Sequence, residues 1–197
     1  MQRRPRSAFL RHIEIPHAAP LNAGVRRPKC NRVGKMSTEN PQQLLSALPI
    51  PSVSLGYATV KIYTANELEA QSGHSADPSG DALAGANDEG SWKTEWLVIG
   101  YEDLCGDPIF IDTACEGYPV YSAAHGEGDW QPRRIATSLR SFAQAIEGVS
   151  TLAKGRATPI ELEANPLRAE EKATLLAGIQ RENLDCDLEF WEQWLAE

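Results

Sequence analysis

Hydrophobic and polar positions alternate first over Tyr57-Ala-Thr-Val-Lys-Ile-Tyr63, where Ala58, Val60 and Ile62 fall on one face and Thr59 and Lys61 on the other. That period of two predicts a half-buried β-strand. Thr64 and Glu67 follow with the spacing of a capping box, so a short helix is expected over Ala65 to Gln71. Two apolar runs, Trp96 to Ile99 and Pro108 to Asp112, flank the glycine-punctuated segment Gly100 to Asp107 and predict an antiparallel pair. Pro108 stands at a strand's first position, where a missing amide is tolerated. Pro119-Val-Tyr121 adds a third short strand.

Beyond residue 132 the period lengthens. Ile135, Leu139, Phe142, Ile146 and Val149 recur at steps of three and four and predict an amphipathic helix, with Thr137 and Ser138 as candidate N-caps. Asn165-Pro166 marks a further helix start, with Glu170 and Glu171 placed to complement its dipole and Leu175, Leu176 and Ile179 on its buried side. Leu188, Trp191, Trp194 and Leu195 form an apolar stripe on a last short helix, where both tryptophans read as core or tail-docking residues. Residues 41 to 48 offer one more helical stretch, ended by Pro49 and Pro51. Residues 72 to 91, rich in Gly, Ser, Asp and Ala, have little to bury and read as a surface loop.

These elements predict an α+β fold, a mainly antiparallel sheet packed against helices, ending in a helical C-terminal tail. With 197 residues and 42% hydrophobic content, one core is the economical expectation. Its domain covers 36 to 155, and the tail from 156 to 197 packs on it.

Charge alters the picture at the N-terminus. The total of −8 conceals nine basic residues and one acid, Glu14, within residues 1 to 35; removing them from 19 basic and 27 acidic residues leaves 10 and 26, a net −16 for 36 to 197. Two readings of the basic, proline-spaced segment stay open: an arm for an anionic surface, or an upstream extension ahead of Met36 that is no part of the functional protein. Either way it is expected to remain disordered by itself. No apolar stretch has the length of a membrane span or of a signal-peptide core, so the expected location is the cytoplasm. Cys30, Cys105, Cys115 and Cys186 are far apart in sequence, and reduced thiols are expected there.

The stretch Ile99-Gly-Tyr-Glu-Asp-Leu-Cys-Gly-Asp-Pro-Ile-Phe-Ile-Asp112, followed by Ile135-Ala-Thr-Ser-Leu-Arg-Ser-Phe142, resembles the SMI1/KNR4 family, or SUKH superfamily. Gly100, Asp103, Gly106, Asp107, Asp112, Ser138 and Phe142 carry the resemblance, which extends from about Tyr57 to Ile146. It implies an α+β domain and, for bacterial members, an immunity protein that binds and neutralises a toxin, often a nuclease. Fungal relatives are linked to regulation of cell-wall synthesis.

The expected function is therefore a non-catalytic protein-binding module whose partner is a protein, such as a basic nuclease toxin. No cofactor, metal, nucleic acid or membrane is expected. Candidate contact residues are Glu102, Asp103 and Asp107 in the hairpin turn and Glu127, Asp129 and Trp130 in the next polar loop. Each has a plainer alternative: Asp107 as a turn residue bonding backbone amides, Trp130 tucked onto the sheet, the acidic surplus as a solubilising surface. A regulatory or scaffold protein of the same fold is one alternative function. A small hydrolase using Cys105 with His125 is another, although Cys105, Cys115 and His125 lack the close spacing of a zinc site.

Overall fold

The computed structural model describes residues 52–64, 67, 90–124 and 130–196. Six strands, β1 (Ser52–Leu55), β2 (Ala58–Ile62), β3 (Trp96–Glu102), β4 (Pro108–Asp112), β5 (Val120–Ser122) and β6 (Arg133–Ala136), form one antiparallel sheet in sequential order. Four helices follow: α1 (Leu139–Leu152), α2 (Pro159–Ala164), α3 (Ala169–Glu182) and α4 (Glu189–Trp194). The expected α+β architecture with a helical C-terminal part is present. The stretches 41 to 48 and 72 to 89 and most of Ala65 to Gln71 lie outside the described residues.

Alternation dictates the core. Val53, Leu55, Val60, Ile62, Ile109, Ile111 and Val120 turn to one face of the sheet and meet Leu139, Phe142, Ala145, Ile146 and Val149 of α1. Those α1 positions repeat at helical spacing and form a single apolar stripe. Helices α3 and α4 bring Ile179, Phe190, Trp191 and Trp194 into the same core, so the tail is built into the domain.

Two β-bulges adjust the sheet. Val98 pairs with Phe110 and Gly100 with Ile109, leaving Ile99 as an extra residue; Val120 pairs with Ala136 and Tyr121 with Arg134, leaving Ile135 extra. A bulged residue loses its ladder partner. Here the freed carbonyls find others: Ile99 O accepts from the Tyr63 amide at 2.8 Å, and Ile135 O from Trp191 Nε1 at 2.9 Å. Ile135 thus belongs to a strand rather than to the following helix, although its spacing to Leu139 suits both. At Gly100 a Cβ would lie 2.1 Å from the Lys61 carbonyl oxygen, so only glycine lets β2 and β3 close there.

Capping follows local sequence. Ser138 exchanges bonds with Ser141 at the start of α1, and Thr158 with Glu161 around Pro159 at the start of α2. Thr64 and Glu67 make the expected reciprocal pair, Glu67 N to Thr64 Oγ1 at 3.3 Å and Thr64 N to Glu67 Oε2 at 2.8 Å. Helix α3 begins at Ala169, later than Asn165-Pro166 suggested, because Asn165 caps the C-terminus of α2.

Two buried polar side chains join the helices to one another and to the sheet. Arg156 donates to Leu152 O and Asn165 O, both at 2.8 Å, and lies 3.3 Å from Glu171 Oε2. Asn183 accepts from the Thr137 amide at 2.8 Å and donates to Ile179 O at 2.9 Å.

Replacing Arg156 with alanine is expected to cost about 1 to 3 kcal/mol, since it leaves the Leu152 and Asn165 carbonyls without their donor in a largely buried site; a denaturant titration reads the loss. The Glu171 carboxyl is held down to about 2 by hydrogen bonds from the Arg168 side chain and amide, with Arg156 adding charge. Because its folded value is depressed, this stabilisation is complete above the ordinary value of 4.5 and is lost as pH falls toward 2. Thermal unfolding between pH 5 and 2 should therefore show a smaller decline for Glu171→Gln than for the parent chain.

Candidate functional site at the hairpin end

In a sequential antiparallel sheet the connections alternate between its two ends. The β1–β2 turn, the β3–β4 turn and the β5–β6 loop consequently leave from the same end. That end carries the turn with Glu102, Asp103 and Asp107 and is where the β5–β6 connection, described at Trp130, begins and ends. Glu127 and Asp129 themselves lie outside the described residues, as does His125.

The β3–β4 turn is tightly organised. Glu102 Oε1 accepts from the amides of Cys105 at 2.9 Å and Asp107 at 3.1 Å, while its Oε2 accepts from Leu104 at 3.0 Å. Asp103 Oδ1 accepts from the Thr59 amide, and the Asp103 amide donates to Thr59 O at 3.0 Å. Gly106, at φ 78°, takes the left-handed conformation that closes the turn. The Asp107 carbonyl in turn accepts from the Glu102 amide at 3.1 Å.

The adjacent β1–β2 turn has two residues, Gly56 and Tyr57, with Gly56 at φ 57°. Gly56 donates to Arg156 O at 2.8 Å and rests on Leu162, while the Tyr57 hydroxyl donates to Glu163 Oε1 at 3.3 Å. Helix α2 is thereby fastened to this end. Of four large hydrophobic side chains exposed among the described residues, three are here: Tyr57 at 63%, Leu104 at 61% and Ile160 at 79%. Ile160 and Glu163, three residues apart, share a face of α2. Sequence reasoning missed this trio; Leu104 inside an acidic turn was the signal that could have found it.

Trp130 takes the plainer of its two expected positions. It stands edge-on to Trp92 at 5.0 Å, its amide donating to Gly90 O at 2.7 Å. Trp92 also meets Trp96 at 5.2 Å and Phe110 at 4.8 Å, and the set, with Ala123, forms a second apolar cluster on the face away from the helices. Trp130 is half-buried in that cluster.

Cys105 and Cys186 are free thiols, the first exposed and the second half-buried. Burial pushes the Cys186 thiol up, away from the reactive thiolate. Cys115 is buried and disulfide-bonded. This corrects the expectation of reduced thiols for Cys115; separation in sequence says nothing about proximity in the fold. Among the described residues no group of three or more His, Cys, Asp and Glu side chains could hold a metal, and no helix is long and apolar enough to cross a membrane. An open groove of about 740 Å³ between α1 and α3 is lined by Ala145, Gly148, Leu175 and Gly178, with Arg168 and Glu182 among its polar residues.

The chain matches no family model, no curated protein and no solved structure.

Removing the Glu102 carboxylate should loosen the turn. Glu102→Ala is expected to destabilise the protein by about 1 to 2 kcal/mol, the scale of charge-assisted bonds that water can partly replace. Hydrogen exchange at the Leu104, Cys105 and Asp107 amides should accelerate more than exchange elsewhere in the sheet.

Proposed function

We propose that this protein is a non-catalytic binding module that meets a basic protein partner with its hairpin end. The observation that carries the reading is the β3–β4 turn, in which Glu102 and Asp103 are held in place by amides of the turn and of β2. A surface already ordered before association loses little conformational entropy on binding. Glu161 and Glu163 extend the negative charge across α2, against Lys154 as the exposed base in the α1–α2 connection. The net −16 beyond residue 35 gives the whole body the sign that attracts a cationic partner and speeds encounter. The resemblance to the SMI1/KNR4 family supports a specific form of this reading, an immunity protein that neutralises a nuclease toxin in the cytoplasm.

If a toxin domain is encoded beside this gene, co-expression should restore growth to cells producing it, and the two chains should elute together. The association rate should fall about tenfold or more from low to physiological salt, as steered encounters do. Neither rescue nor a complex would remove the immunity reading. The Cys115 disulfide stands against residence in a compartment that keeps thiols reduced, and thiol trapping under denaturing lysis decides the matter: alkylation of Cys115 would support the cytoplasm. A persistent disulfide would place the working protein elsewhere.

A further inference from the structure

Resting on the binding role just proposed, we infer that the hairpin end grips its partner through Tyr57, Leu104 and Ile160, and that the partner presents apolar side chains ringed by Lys or Arg, as a cationic amphipathic helix does. Single exposed hydrophobic residues are ordinary on any protein. Clustering is what distinguishes these. The Asp103 and Thr59 backbones are bonded in both directions, so Leu104, one residue on, and Tyr57, two residues back, extend beyond the same edge of adjacent strands. The Tyr57 bond to Glu163 then places α2, and Ile160 with it, beside them.

The carboxylates divide the work with this apolar group. Glu102 already accepts from three amides and Asp103 from one, which leaves their charge to act at a distance while their directional bonding is largely committed. Charge of that kind orients an approaching cation, and buried apolar contact supplies most of the holding energy. Tyr57 suits such an anchor, since a tyrosine offers a large contact area with few torsions to freeze.

The test uses the full chain and two labelled probes: a helix-forming peptide of about 18 residues with leucine on one face and lysine on the other, and polylysine of equal charge. Binding of each is followed by fluorescence anisotropy. Leu104→Ser and Ile160→Ser are both at exposed positions and should leave the melting temperature unchanged. Each is expected to weaken the amphipathic peptide about tenfold, with polylysine unaffected. Leu184→Ser is the control, because Leu184, 80% exposed, follows Asn183 at the opposite end of the sheet and should change neither.

If the two serine variants bind the amphipathic peptide as the parent does, or if Leu184→Ser weakens it equally, the apolar anchor is refuted. Polylysine binding as tightly as the amphipathic peptide would also refute the anchor while leaving the acidic binding end intact. Failure of both probes to bind would overturn the anchor and the basic-partner reading together.

Discussion

A sheet whose six strands pair in chain order obliges its connections to alternate ends, and much of this protein's arrangement descends from that constraint. The β1–β2, β3–β4 and β5–β6 connections share one end. The other holds the β2–β3 and β4–β5 connections and the start of α1, where Leu139 donates to Gly117 O at 2.9 Å. Because α1 starts there and covers the apolar face, it must finish at the hairpin end. Helix α2 is therefore delivered to the hairpin turns, and α3 must run back, bringing Asn183 to Thr137. The neighbourhood of Tyr57, Leu104 and Ile160 is a consequence of topology, although these residues are distant in sequence.

Polar groups hold that path in register at both ends. Arg156 joins the end of α1 to the Asn165 cap and to Glu171 in the first turn of α3. Asn183 joins the end of α3 to the strand-to-helix junction at Thr137. Each side chain is almost fully buried and supplied with several partners, the condition under which burying a polar group is tolerable and its removal costly. Hydrophobic burial alone would permit α3 to slide or rotate along α1, particularly beside the small residues Gly148 and Gly178. The two ties restrict that freedom.

Much of the sheet was legible in sequence because its strands either alternate or are short apolar runs bounded by glycine and proline. Strands β2, β3, β4 and β5 and helices α1, α3 and α4 follow those signals. β1 was overlooked because Ser52-Val-Ser-Leu55 lies directly behind Pro49 and Pro51, which read as punctuation. β6 was absorbed into the next helix because Ile135 sits four residues before Leu139, and a bulge is invisible to periodicity. Helix α2 was missed: its signal, the Thr158-Pro-Ile-Glu161 capping box, went unread because a six-residue helix offers one buried residue, Leu162, and so no periodic stripe. At the site, composition identified the acidic turn. Which amides a carboxylate would bind depended on backbone geometry: Glu102 reaches those of Leu104, Cys105 and Asp107.

The outer face of the sheet shows why the end of the molecule, more than its faces, is left for recognition. Helices cover one face. On the other, Trp92, Phe110 and Ala123 form a closed cluster with Trp96, Tyr121 and Trp130 at its margin, so Trp130, the aromatic candidate for a contact, is largely spent on packing. The β6 edge is also occupied: Asp187 donates to Arg134 O at 2.7 Å, and Arg134 reaches Asp185 O at 3.1 Å. At the hairpin end the polar backbone is satisfied within the turns while large apolar side chains point away from the core. Such chains lose water only when another surface covers them, and that gain is what a binding module can use.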